Sequence, residues 1–175
     1  MSKMYVYVDG SYRDGAKEVT GAAIYLIDDK LISSMRFKTT DENLLKHRQV
    51  SGEVVPTLYA LEFVNKCISG TDHNLESVVI CYDYTGVKDW LDGTWRKANN
   101  DMSRDYMSRG RMEILKLRDK GVVVKFNKIK SHTGNKYNEF ADRLANGFIP
   151  EELEDSYEGE KIYRLNGVHS IEVEG

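Results

Sequence analysis

The sequence predicts an α/β domain with a five-stranded mixed sheet, three antiparallel strands followed by parallel ones, flanked by helices. Three observations carry that expectation. Three short β-rich runs stand close together at the start of the chain. Beyond residue 50 the apolar residues change to helical spacing. Short apolar runs then alternate with further helical stretches, as in strands joined by crossover helices.

Tyr5-Val6-Tyr7-Val8 is the first run, and it ends at Asp9-Gly10-Ser11. Gly21 through Ile27 is the second and Leu31 through Phe37 the third, with Asp28-Asp29 as a connector short enough for an antiparallel hairpin. From Gly52 to Ile68, the apolar residues Val54, Leu58, Leu61, Val64 and Ile68 recur at spacings of three and four, ending at Ser69-Gly70. Val78-Val79-Ile80-Cys81-Tyr82 is the kind of run found in a strand buried on both faces. A short helix over 87–91 and a longer one over 107–120, stopped by Gly121, lead into a strand at Val122–Phe126. A last helix over 137–148 places Phe140, Leu144 and Phe148 on one face. The predicted order is therefore βββ-α-β-α-α-β-α.

A chain of 175 residues can bury a real core as one domain, and 41% hydrophobic with 30% charged residues is ordinary for a globular protein. Cys67 and Cys81 read as a reduced, buried pair with no zinc-type spacing around them. The N-terminus has no signal-peptide pattern, and no apolar run is long enough to cross a bilayer, so the expected location is cytoplasmic. The net charge of −3 conceals an asymmetry. Residues 88–130 carry twelve basic against six acidic side chains, whereas residues 149–175 carry eight acidic against two basic. The expected division is a compact domain over 1–148 and an acidic extension over 149–175. Within that extension, Tyr163-Arg164-Leu165 and Ser170-Ile171-Glu172-Val173 can still form short edge strands.

Four acids stand where a purely structural role is hard to supply. Asp9 and Asp83 each end an apolar strand, Glu53 opens the first helix, and Asp142 lies inside the last helix. Each has an ordinary explanation on its own: a turn former, a charge on a helix dipole, or a partner for Arg143. Together they point to one crevice at the strand ends. Crowded carboxylates repel, a divalent cation removes the conflict, and oxygen-only ligands favour Mg²⁺ or Mn²⁺.

Four segments in order resemble the ribonuclease H family: Tyr7-Val8-Asp9-Gly10-Ser11, Val50-Ser51-Gly52-Glu53, Tyr82-Asp83-Tyr84, and Ser131-His132-Thr133-Gly134-Asn135 with Asn138-Glu139-Phe140-Ala141-Asp142. The resemblance spans roughly residues 4–148 and is to the type 1 members. It is to a short variant, without a long basic protrusion at residues 92–110 and without a hybrid-binding domain. It implies the ribonuclease H-like fold and hydrolysis of the RNA strand of RNA–DNA hybrids, leaving 5′-phosphate and 3′-hydroxyl ends. It also implies two Mg²⁺ ions about 4 Å apart, replaceable by Mn²⁺. Asp9 is implied to bridge both ions, Asp142 to hold the one that activates water, and Glu53 and Asp83 the one beside the leaving oxygen. His132 is implied to assist proton transfer or product release, with Glu139 a possible helper beside Asp142. Gly10, Ser11, Gln49, Glu53 and Thr85 are implied to approach the hybrid, and Trp95 with Lys97 to meet its DNA strand. No protein or membrane partner is implied.

Three alternatives compete with this reading. A non-catalytic module that grips hybrid or RNA would have lost a carboxylate, and none is missing. An exonuclease or resolvase on the same fold would space its carboxylates differently. In the third, the acidic tail folds over the basic stretch and restrains the nuclease.

Overall fold

The structure, a computed structural model, describes residues 1–12, 18–40, 48–83, 101–129, 135–166 and 170–174. At 12, 48–53, 101–107, 164–166 and 170–174 it describes the backbone alone. Seven strands form one sheet: β1 (Ser2–Tyr12), β2 (Val19–Ile27), β3 (Lys30–Thr39), β4 (Leu75–Tyr82), β5 (Val123–Lys128), β6 (Tyr157–Asn166) and β7 (Ser170–Glu174). The spatial order is β5-β4-β1-β2-β3-β6-β7. Among the described residues three α-helices accompany them, α1 (Arg48–Cys67), α2 (Asp101–Asp119) and α3 (Lys136–Ala145). The predicted short helix at 87–91 lies outside the described residues.

The expected mixed sheet is present, with β1, β2 and β3 antiparallel and β4 and β5 parallel to β1. The Asp28-Asp29 hairpin turn has positive φ at both residues, 48° and 67°. Those values match a two-residue turn of the type that suits strand twist, and Asp tolerates them better than most residues. Asp28 also accepts the backbone N–H of Lys3 at 3.1 Å, tying the turn to β1.

Helices cover both faces. On one, Val6, Val8, Tyr25, Phe37, Val78 and Ile80 meet Val54, Leu58, Leu61 and Val64 of α1 and Leu117 of α2. On the other, Ala22, Ile24 and Leu26 meet Phe140, Ala141, Leu144 and Ala145 of α3. Strand β4 is apolar on both faces because it is covered on both.

The strand count is seven rather than five. After Phe148 the chain makes a short 3₁₀ turn at Glu151–Leu153 and adds β6 parallel to β3, then β7 antiparallel to β6. Leu153 is fully buried in the α3-side core and Tyr163 in the α1-side core, each side chain contributing about 2 kcal/mol of apolar burial. The run of acids obscured these few anchors. The tail strands also lie at the opposite edge from β5, five strand spacings or roughly 24 Å away. They therefore do not cover Lys125 and Lys128, while Lys88, Arg96, Lys97 and Lys130 of the basic stretch lie outside the described residues.

Three local expectations change. Helix α1 starts at Arg48 rather than Gly52, so Glu53 lies in its second turn. Helix α3 stops at Ala145, because Gly147 takes φ +95° and the N–H groups of Gly147 and Phe148 fold back onto Leu144 and Arg143. Phe148 is thereby exposed instead of completing the buried stripe. Of the two free cysteines only Cys81 is buried, and Cys67 is exposed at the end of α1.

The Tyr163 hydroxyl is buried without a hydrogen-bond partner among the described residues. Tyr163→Phe is expected to stabilise the protein by about 1 kcal/mol, because it removes a polar group whose desolvation nothing compensates. Urea unfolding of the two proteins measures this, and a loss of stability would mean that the hydroxyl has a partner.

Candidate active site

Strand pairing decides where the first two acids go. Strands β1 and β4 run parallel with Tyr7 opposite Cys81. Two residues further on, Asp9 and Asp83 emerge side by side on the same face, since side chains two apart along a strand share a face. It is the face on which Tyr7 packs against Tyr137 of α3, ring centroids 5.5 Å apart. Helix α3 crosses β1 and β2 there and brings Asp142 to the same place. The carboxylates thus come from three elements distant in sequence.

Their electrostatics reflect that crowding. Asp9 is buried, 7% exposed, with the Gly10 N–H donating to its Oδ1 at 2.8 Å. Burial, then Asp83, and then Asp142 push the Asp9 carboxyl up to about 8; the Gly10 hydrogen bond opposes them. Asp9 and Asp142 also share a side-chain hydrogen bond.

Among the described residues, no three His, Cys, Asp or Glu side chains form a ready-made metal cage. The side chain of Glu53 is not among them. The donor chemistry nonetheless fits a hard divalent cation, because the side chains offer oxygens and the acids beside Asp9 oppose its ionisation in the absence of positive charge.

The remaining expected positions divide in two. Thr85, Trp95, Lys97 and His132 lie outside the described residues, and Gln49 is placed by its backbone alone, in the first turn of α1. Gly10 and Ser11 follow Asp9 on β1. Glu139 is an exposed acid in the first turn of α3, three residues before Asp142.

Several contacts were not evident from the sequence. Asn135 caps α3, accepting the N–H groups of Tyr137 and Asn138 at 3.1 and 3.0 Å. Asn before a helical stretch is an N-cap signal that could have located it. At the other end of α3, Arg36 of β3 donates to the Leu144 and Ala145 carbonyls at 3.1 and 3.4 Å and is ion-paired with Glu160 of β6. The Thr20 hydroxyl takes the Ala145 carbonyl as well, at 2.6 Å. Nothing in the linear sequence marks that arrangement.

Among the described residues, Arg109 and Lys120 of the 88–130 stretch tie its helix to α1. Arg109 pairs with Glu62 of α1 at 2.6 Å, and Lys120 donates to the carbonyls of Asn65 and Ile68 at the end of α1, 2.9 Å each. Arg111, Lys116, Arg118, Lys125 and Lys128 are exposed.

The raised carboxyl has a consequence for stability. The folded chain holds the Asp9 proton at pH values where the unfolded chain, near 3.8, has released it. Its contribution is therefore full below about 3.8 and is lost as the pH rises to about 8. In EDTA, Asp9→Asn is expected to melt increasingly above wild type between pH 5 and pH 8, and Mg²⁺ should narrow the gap by stabilising wild type alone. A melting-temperature difference that ignores pH would overturn the assignment.

Comparison with known proteins agrees with this architecture. The RNase H family model matches residues 1–149. A Ribonuclease H from Ruthia magnifica is 26% identical over 153 residues, covering 83% of this chain and 94% of that protein. One from Clostridium botulinum is 25% identical over 157 residues, covering 86% and 98%. Among solved structures, RNase H1 from the halophilic archaeon Halobacterium salinarum has a TM-score of 0.58 at 19% identity, covering 82% of this chain and 95% of its own. An RNase H1 solved in complex with RNA/DNA hybrid has a TM-score of 0.62 at 14% identity, covering 86% and 99%. With the family model matching 1–149, a span that holds β1 to β5 and all three described helices, this chain belongs to the ribonuclease H family.

Proposed function

We propose that this chain is an endonuclease that hydrolyses the RNA strand of RNA–DNA hybrids, leaving 5′-phosphate and 3′-hydroxyl ends. The observation that carries the reading is the meeting of Asp9, Asp83 and Asp142 at the strand ends of a ribonuclease H domain. The complex of a similarly folded RNase H1 with RNA/DNA hybrid supports the choice of substrate.

Asp9, Glu53, Asp83 and Asp142 would hold two Mg²⁺ ions, with Asp9 shared between them. Bound there, the ions supply Lewis-acid polarisation of the phosphate and an activated nucleophile at neutral pH. Asp9 brings negative charge into a buried position, where it holds a cation more strongly than an exposed acid would. Glu53 also accepts a 2′-hydroxyl, the group that separates RNA from DNA. His132 moves a proton at the leaving or attacking oxygen. Gly10, Ser11, Gln49 and Thr85 line the approach to the hybrid's minor groove, and Trp95 and Lys97 meet the DNA strand. Lys and Arg between 88 and 130 contact phosphates, which makes binding weaken with salt.

Incubation of a labelled RNA–DNA hybrid with Mg²⁺, beside RNA–RNA and DNA–DNA duplexes, tests this directly. Cutting confined to the RNA strand of the hybrid is expected. Asp9→Asn should lower the rate at least about a hundredfold, the scale of losing one charge-stabilising group. Absence of Mg²⁺-dependent cutting would refute the enzymatic reading, and full activity of Asp9→Asn would refute the site.

A further inference from the structure

Asn146, one residue beyond the last turn of α3, spans two elements. Its Nδ2 donates to the backbone carbonyl of Asp142 at 2.8 Å and lies 3.4 Å from that residue's Oδ1. Its Oδ1 accepts the hydroxyl of Ser11 at 2.7 Å. Ser11 is on β1, two residues after Asp9. One amide group thus connects the strand carrying Asp9 to the helix carrying Asp142, at the point where those carboxylates meet.

We propose that Asn146 is a positioning residue that sets Asp142 against Asp9 by bridging α3 to β1 through Ser11. The physical argument concerns freedom at a helix end. The last turn of α3 is closed by backbone donors of its own cap, with the Asn146 N–H on the Asp142 carbonyl at 3.1 Å and the Gly147 and Phe148 N–H groups on Leu144 and Arg143, but these bonds run along the chain and do not fix the turn against the sheet. Asp142 is in the last turn, so its direction depends on what ties that turn to the sheet. Thr20 and Arg36 hold the Ala145 and Leu144 carbonyls, and neither is bonded to Asp142. Asn146 alone among these contacts reaches both the Asp142 backbone and its carboxylate, and its other end is fixed to the Asp9 strand. An amide suits the task because it offers a donor to a carboxylate and an acceptor to a hydroxyl at once, and it stays neutral beside acids. The Ser11 hydroxyl proton is committed to this bridge, so Ser11 faces substrate only through its oxygen lone pairs.

This inference rests on the proposed function for its activity readout but not for its binding readout. Asn146→Ala is expected to raise the Mg²⁺ concentration for half-maximal hybrid cleavage about tenfold, the lower end of effects seen when a group that orients a metal ligand is removed. The KM for hybrid should change little. Independently of activity, the rise in melting temperature that Mg²⁺ produces should be smaller in Asn146→Ala than in wild type at equal Mg²⁺. Ser11→Ala should show the same smaller rise in melting temperature with Mg²⁺, the double variant should be no worse in that measurement than either single one, and Ser11→Thr, which keeps the hydroxyl, should restore the wild-type rise. A purely structural role would lower the metal-free melting temperature and leave the Mg²⁺ dependence unchanged, and that result overturns the proposal. So does a change confined to the KM for hybrid, which would make Asn146 a substrate contact. Should wild type fail to cut hybrid, the proposed function fails, and the melting-temperature arm still decides the role of Asn146.

Discussion

The parallel pairing of β1 with β4 is the constraint on which the site depends. With Tyr7 opposite Cys81, Asp9 and Asp83 must emerge together, and a shift of one residue in either strand would turn one carboxylate to the opposite face. That register is held by burial: Val6, Val8, Val78 and Ile80 fill the α1 side of the sheet. The opposite side is where the acids emerge, with Val79, Cys81 and Ile129 packed below them. The same apolar residues that stabilise the sheet therefore enforce an electrostatic conflict at its end.

That conflict costs stability, and under the proposed function a bound cation would relieve it. A carboxyl held up to about 8 by burial and by two acidic neighbours is a poor structural choice. It persists because the surrounding core over-determines its place. The contacts at the end of α3 fit the same picture. Arg36, Thr20 and Asn146 fasten the turn that carries Asp142, each from a different residue of the central strands or the helix cap. Arg36 in turn is paired with Glu160 on β6. The acidic tail is thus wired into the helix that brings Asp142 to the site, although the family match stops at residue 149.

Much of this was legible beforehand. Periodicities of two and of three to four located β1 to β5 and all three described helices, because a face that must be buried imprints its spacing on the chain. The four acids were legible as a set only through their order. The tail's two edge strands were legible at Tyr163-Arg164-Leu165 and at Ser170-Ile171-Glu172-Val173, but its attachment to the sheet was not, because eight acids dominate its composition and that attachment rests on a few anchors such as Leu153 and Tyr163. Phe148 misled for a different reason: its spacing continues the helical stripe, but Gly147 ends the helix first.

What the sequence determined by itself is the alternation of strands and helices and the identity of the acids, since local propensity and apolar period are properties of the linear chain. Only the tertiary structure decided that Asp9 and Asp83 are neighbours, that β6 and β7 extend the sheet beyond β3, and that Ser11, Asn146 and Asp142 form one hydrogen-bonded chain. Those facts depend on strand order and register between segments up to 135 residues apart. Such contacts leave no period in the sequence, because each is a single meeting of two side chains whose positions are set by packing elsewhere.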